Sequence, residues 1–183
     1  MADVYAMITD GTEEVECLAV VDILRRAGVD VTLVSAADGI TVTSSHGVKI
    51  TADAMLSDTD VSDGKVLFVP GGMPGSEKLG ACGPLVSAIK TALERGNRVA
   101  AICAAPALVL GEHGFLQGKR AVCFPGHEKK MKGAKVCRGA RVVTDGNITT
   151  ARGLGCAIEL GLELVSLLKG DTVANDIKHK IQF

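Results

Sequence analysis

The sequence predicts an α/β fold with a mostly parallel central sheet covered by helices on both faces. Two observations carry this. Short apolar, β-branched runs alternate along most of the chain with stretches of helical periodicity, as in a sheet whose strands are joined by helical crossovers. Several apolar runs also stop abruptly at glycine, proline or cysteine, where open α/β sheets place their sites, beyond the carboxyl ends of the strands.

Val4–Ile8 is a compact apolar strand. Thr9-Asp10-Gly11-Thr12 follows as a turn whose last residue can cap a helix over about 14–27, ended by Gly28. A second strand spans Val29–Ala36, and Thr41–Ser44 with Val48–Thr51 form a short antiparallel excursion turned around His46-Gly47. Val66–Val69 is a third main strand, stopped by Pro70-Gly71-Gly72. A helix over Pro84–Arg95 leads to a strand over Arg98–Ile102 that runs straight into Cys103. Ala104–Glu112 is expected to be helical and Ala121–Phe124 extended. Arg141–Thr144 and Ile148–Thr150 flank the hairpin turn Asp145-Gly146-Asn147, and helices over Leu154–Lys169 and Val173–Lys180 close the chain.

The 183 residues suffice for one domain, here residues 1–183, with a sizeable core. Hydrophobic residues make up 47% and charged residues 22%, as in ordinary globular proteins, so disorder is excluded. Twenty basic residues against 21 acidic ones leave a net charge of -1, and aromatics are only 3%. Neither the electrostatic footprint nor the stacking platforms of a nucleic-acid binder are present. No apolar run is long enough to span a bilayer, and the first residues lack the basic start of a signal peptide. Six dispersed cysteines without a C-x-x-C pair then read as reduced thiols in a cytoplasmic protein. The four histidines are scattered without ligand spacing, so no metal and no cofactor is expected.

Three strand ends carry chemistry. After Val4–Ile8, the helix bears Glu13, Glu14 and Glu16. Glu13 and Glu14 read as first-turn acids that complement the helix dipole with their side chains in solvent. Glu16 shares the apolar face of Val20, Ile23, Leu24 and Ala27, where an acid must be paired or protonated, or else escape to solvent at the helix start. Gly71-Gly72 can turn backbone amides into the crevice, and equally can be a plain turn. At Ala101-Ile102-Cys103-Ala104-Ala105-Pro106 a thiol sits at a strand-to-helix junction flanked by small residues, the pattern of a nucleophile elbow. A helix N-terminus there would favour thiolate, lowering a cysteine pKa from ~8.5 to about 3.5–7.5. The amides of Gly72 and Ala104 could form an oxyanion pocket.

Asp10-Gly11-Thr12-Glu13-Glu14-Val15-Glu16, Leu24-Arg25-Arg26-Ala27-Gly28, Pro70-Gly71-Gly72, Ala100-Ala101-Ile102-Cys103-Ala104-Ala105-Pro106 and Thr150-Ala151-Arg152-Gly153 together resemble the ThiJ/PfpI superfamily. Within it they are most similar to the branch of the Parkinson-disease-associated protein deglycase and its bacterial relatives. The resemblance runs from about Tyr5 to Val173. It implies a flavodoxin-like fold, a homodimer, and an oxidation-prone Cys103 hydrogen-bonded to a protonated Glu16. A thiolate and a carboxylate at such close range should share one proton, and the protonated acid could donate to a cysteine sulfinate.

The match has departures. Relatives with glyoxalase or deglycase activity pair the cysteine with a histidine just before a proline; here Phe124 precedes Pro125. His127 reads as a surface residue. The family's arginine that reaches toward the partner's cysteine is replaced by His46, for which a contribution to the other subunit's site and an exposed turn are equally open. The peptidase arm's histidine after the nucleophile is Ala104, which disfavours proteolysis. Arg152 reads as closing the pocket by pairing with a carboxylate or carbonyl, or as structural. Lys129, Lys130, Lys132, Lys135, Arg138 and Arg141 read as a solvated basic face.

The resemblance implies a homodimeric enzyme acting on small dicarbonyls such as methylglyoxal, or on their early adducts with thiols and amines. Cys103 and Glu16 would be catalytic, and Gly72 and Ala104 would supply amides. Two alternatives stand beside it: a redox-sensing, chaperone-like protein using oxidation of Cys103, and a thiol amidohydrolase lacking an identifiable base.

Overall fold

In a computed structural model, described for residues 2–183, seven strands form one sheet in which a single edge strand runs antiparallel. In chain order the strands are β1 (Val4–Ile8), β2 (Val31–Ser35), β3 (Thr41–Thr43), β4 (Lys49–Thr51), β5 (Ala54–Met55), β6 (Val66–Val69), β7 (Arg98–Ile102), β8 (Arg120–Ala121), β9 (Lys135–Val136), β10 (Val142–Asp145) and β11 (Ile148–Ala151). The helices are α1 (Glu14–Arg26), α2 (Gly75–Ala81), α3 (Gly83–Glu94), α4 (Ala157–Lys169) and α5 (Asp171–Lys180). The sheet order is β10-β11-β7-β6-β1-β2-β5. β3–β4 is a separate hairpin, and β8 pairs with β9 on its own.

Every residue of β1 and β6 is buried, as expected of strands covered on both faces. Alternate side chains divide between two cores. Val4, Ala6 and Ile8 join Val20, Leu24, Leu160, Leu164 and Ile177 beneath α1, α4 and α5. Tyr5 and Met7 point the other way, among Leu79, Leu85, Ile89 and Leu110 beneath α2, α3 and the turn after β7. This two-faced burial bears out the predicted fold class.

Several expected elements change. The helix after Cys103 is a six-residue π-helical turn, Pro106–Gly111, with Glu112 N–H donating to Ala107 O. Residues 154–169 divide into a 3-10 turn over Leu154–Cys156 followed by α4. The stretch 121–124 is strand only at its first residue. α2 is absent from the sequence expectation. Thr12 is not the cap of α1: its Oγ1 accepts the N–H of Thr9, and Glu13 is the N-cap, with Oε2 accepting Glu16 N–H at 2.6 Å.

The adjacent strands β1, β6 and β7 end at one edge of the sheet, bringing residues 9–16, 70–72 and 103–104 together. Beside them, β11 delivers residues 152–156.

Candidate active site

Cys103 follows β7 directly, and its backbone is held from two sides. Its N–H donates to Ala151 O at 3.0 Å, and its carbonyl accepts Phe124 N–H at 2.7 Å. Between these anchors φ is +65°, the left-handed region that an L side chain occupies at a cost of about 1–2 kcal/mol. This is the strained turn expected of a nucleophile elbow, and the half-buried thiol is presented at its apex.

Glu16 reaches the same place from the first turn of α1. It is only 1% exposed, and its Oε2 accepts Gly71 N–H at 3.1 Å. Burial, opposed by Cys103 and reinforced by the Glu13 charge, pushes its pKa from 4.5 up to about 7. Gly71 is the spacer between acid and thiol. A Cβ there would collide with Glu16 Oε2 and stand 2.5 Å from Cys103 Cβ, so no larger residue fits. Gly72, at φ +95°, packs its Cα against the backbone of residues 11–13 and so turns its own amide toward the sulfur.

The expectation of a low thiol pKa is corrected. Burial first, and then the Glu16 charge, push Cys103 from 9.0 up to about 12, against the opposing pull of the Gly72 and Ala104 amides. A six-residue π-turn offers too little aligned backbone to reverse this. Burial raises both groups and the Glu16 charge opposes the thiol's ionisation, so the thiol and acid titrate as a pair that resists losing both protons. The structure thus brings together Cys103, Glu16, Gly72 and Ala104 as the sequence predicts.

The remaining candidates separate. Phe124 is 47% exposed and lies against Gly153. With Arg152, Arg141 and Leu154 it lines a 380 Å³ cavity beside the acid, whose pKa the Leu154 amide also lowers. The ion pair at this rim belongs to Arg141, whose Nε meets Glu159 at 2.6 Å, whereas Arg152 lines the cavity. His127 stands edge-on to the Phe124 ring at 6.4 Å. The basic residues Lys129, Lys130, Lys132, Lys135, Arg138 and Arg141 are exposed. Sequence reasoning missed the role of Glu13. It was expected in solvent, yet it is buried because capping Glu16 turns it inward. His46 stands over Glu13 and Glu14 of its own chain.

A profile described as the DJ-1/PfpI family matches residues 2–167, spanning every group just described. The chain belongs to the DJ-1/PfpI family. Over 170 residues it is 39% identical to Protein DJ-1 homolog B of Arabidopsis thaliana, covering 93% of this chain and 39% of that one. The chain thus spans about two fifths of the length of this plant DJ-1 relative. It is 29% identical over 168 residues to the glutathione-independent glyoxalase DJR-1.2 of Caenorhabditis elegans, covering 92% of this chain and 89% of that one. The solved structure of oxidized Toxoplasma gondii DJ-1 superposes with a TM-score of 0.93 at 34% identity, covering 100% and 99% of the two chains. The flavodoxin-like DJ-1/PfpI fold is therefore established for this chain. Among the described residues, no helix is long and apolar enough to cross a membrane.

Proposed function

We propose that the chain is a cysteine-dependent enzyme acting on methylglyoxal-like dicarbonyls or their early thiol and amine adducts, in defence against carbonyl stress. The observation that carries this reading is the buried Glu16 carboxyl, held by Gly71 N–H against the Cys103 thiol and beside the Gly72 and Ala104 amides. The name of the nematode relative supports the substrate class.

In the proposed reaction, Cys103 Sγ bonds to the aldehyde carbon of methylglyoxal while the thiol proton passes to the Glu16 carboxylate. The oxyanion that develops faces the Gly72 and Ala104 amides and takes up that proton, giving a hemithioacetal. Glu16 then removes the proton from the former aldehyde carbon and returns one to the adjacent carbon, converting the adduct to a cysteine thioester of the hydroxy acid. Water cleaves the thioester, releasing lactate and restoring the thiol. A carboxyl with a pKa near 7 suits this two-way proton traffic at neutral pH. Phe124 supplies no base, so the acid works alone.

The test is hydroxy-acid formation from methylglyoxal without glutathione, comparing wild type with Cys103→Ala and Glu16→Gln. Turnover lost in both variants supports the reading. A folded wild type with no turnover above the variants sinks it.

Phe124 in the histidine's place favours a second reading, a redox-responsive protein with little turnover. There two equivalents of peroxide convert the Cys103 thiolate to a sulfinate with release of two waters, and protonated Glu16 donates to a sulfinate oxygen. A selective gain of two oxygens on Cys103 in intact mass, without methylglyoxal turnover, would favour it.

We further propose a cytoplasmic homodimer. Val15, Leu18, Val48, Leu154 and Ile158 are exposed apolar side chains on α1, the β3–β4 hairpin, the 3-10 turn before α4 and the start of α4, a face suited to a second copy. His46 at the hairpin tip would then lie near the partner's site.

A further inference from the structure

We propose that Glu13, Glu14 and His46 form a site for a divalent transition metal of the zinc type, separate from Cys103 and independent of the dicarbonyl reading. The proposal reverses the sequence expectation of no metal, which followed from ligands far apart in the chain.

The backbone builds the site. The β3–β4 hairpin is pinned to the turn before α1 by Gly11 N–H on Thr43 O at 2.8 Å, Ser45 N–H on Thr12 O at 2.9 Å, and Thr43 N–H on Asp10 Oδ1 at 2.8 Å. These bonds set the hairpin tip over the start of α1. His46 Nδ1 then lies 3.4 Å from Glu14 Oε2 and 3.7 Å from Glu13 Oε1. Ser45 Oγ stands 3.1 Å from the same nitrogen and 3.4 Å from Glu14 Oε2. One ligand atom from each of the three residues falls within a 4.8 Å cluster.

The separations of His46 Nδ1 from the two carboxylates also match those between ligands of one metal ion. Zinc bonds of about 2.0–2.2 Å place the corners of a tetrahedron roughly 3.3–3.5 Å apart. Closing the two His46 distances to that value takes a few tenths of an ångström. Both carboxylates are largely shielded, with side-chain exposures of 10% for Glu13 and 13% for Glu14. Glu13 uses Oε2 for the Glu16 N–H. Its Oε1 accepts no hydrogen bond within the chain and is aimed at an imidazole nitrogen beyond hydrogen-bond range. Two largely shielded carboxylates set side by side under an imidazole are favoured by a cation between them.

The donor set selects the cation. Imidazole with two carboxylates suits zinc and neighbouring transition ions, whereas calcium and magnesium prefer all-oxygen shells. Three protein ligands leave a fourth position for water, with Ser45 Oγ beside it.

The test is calorimetric titration of the full chain with zinc alone, in wild type, His46→Ala, Glu14→Gln and Cys103→Ser. His46 is 70% exposed, so its removal leaves the fold intact, which circular dichroism and Tm without metal will verify. The expected result is one saturable equivalent per chain, weakened about tenfold or more in His46→Ala and in Glu14→Gln, and unchanged in Cys103→Ser. The cobalt-loaded wild type should show ligand-field bands without a thiolate charge-transfer band. No saturable binding, binding indifferent to His46→Ala, or binding lost in Cys103→Ser with a thiolate band would each overturn the proposal. None of these readouts depends on methylglyoxal turnover.

Discussion

Glu16 Oε2 accepts the backbone N–H of Gly71 at 3.1 Å, joining the first turn of α1 to the end of β6. This bond sets the acid against the thiol and requires that residue 71 have no side chain. Gly71→Ala would drive a Cβ into both Glu16 and Cys103. We expect Gly71→Ala to cost about 1–3 kcal/mol in urea denaturation and to remove turnover while the chain still folds.

The raised pKa of Glu16 makes stability depend on pH. The folded state holds this proton to about 7 and the unfolded chain only to 4.5, so the folded state binds more protons between those values. The acid's favourable contribution is therefore fully present below 4.5 and lost as pH rises through 7, a change on the order of 3 kcal/mol. Glu16→Gln has no such proton to lose. Its denaturation free energy should change less than that of wild type across this interval, and equal slopes would contradict the assignment.

Removing the same acid should also act on the thiol. The Glu16 charge is the second cause, after burial, of the raised Cys103 pKa. In Glu16→Gln the thiol should titrate in a single step below the wild-type value of about 12. Thiolate absorbance, taken as a difference from Cys103→Ser, reads this directly.

The left-handed backbone of Cys103 predicts an inversion of the usual glycine penalty. Relief of about 1–2 kcal/mol of strain exceeds the extra unfolded-chain entropy of glycine. Cys103→Gly should therefore be more stable than Cys103→Ala by about 0.5–1 kcal/mol, measured by thermal melting of the two variants side by side.

The exposed apolar face around Leu18 predicts a charge-sensitive assembly. Leu18→Asp should yield monomers in sedimentation at concentrations where wild type sediments as a dimer, with the monomer's secondary structure unchanged because Leu18 is 38% exposed. A monomeric wild type would remove the dimer proposal.

The sheet and the elbow were legible in the sequence because strands such as Val66–Val69 are continuous apolar runs, and Cys103 follows one without an intervening loop. α2 was not, for a physical reason. Its glycines serve close approach and not helix propensity: a Cβ at Gly75 would lie 2.6 Å from Gly11, and one at Gly80 would lie 2.6 Å from Leu108 O. The direction of the thiol's pKa was misread because the local junction favours thiolate, whereas burial and Glu16 are supplied by the tertiary fold. The approach of His46 to Glu13 and Glu14 was hidden similarly, since hairpin bonds to the α1 turn create it.

The two bonds that grip the Cys103 backbone come from Ala151 and Phe124, both later in the chain. During synthesis the strand bearing the thiol emerges before both anchors, so a nascent chain ending before residue 124 has neither bond to hold residue 103 in its left-handed turn. The backbone turn that presents the thiol is thus closed by the last third of the polypeptide, and truncation before β11 should loosen it by removing the Ala151 carbonyl.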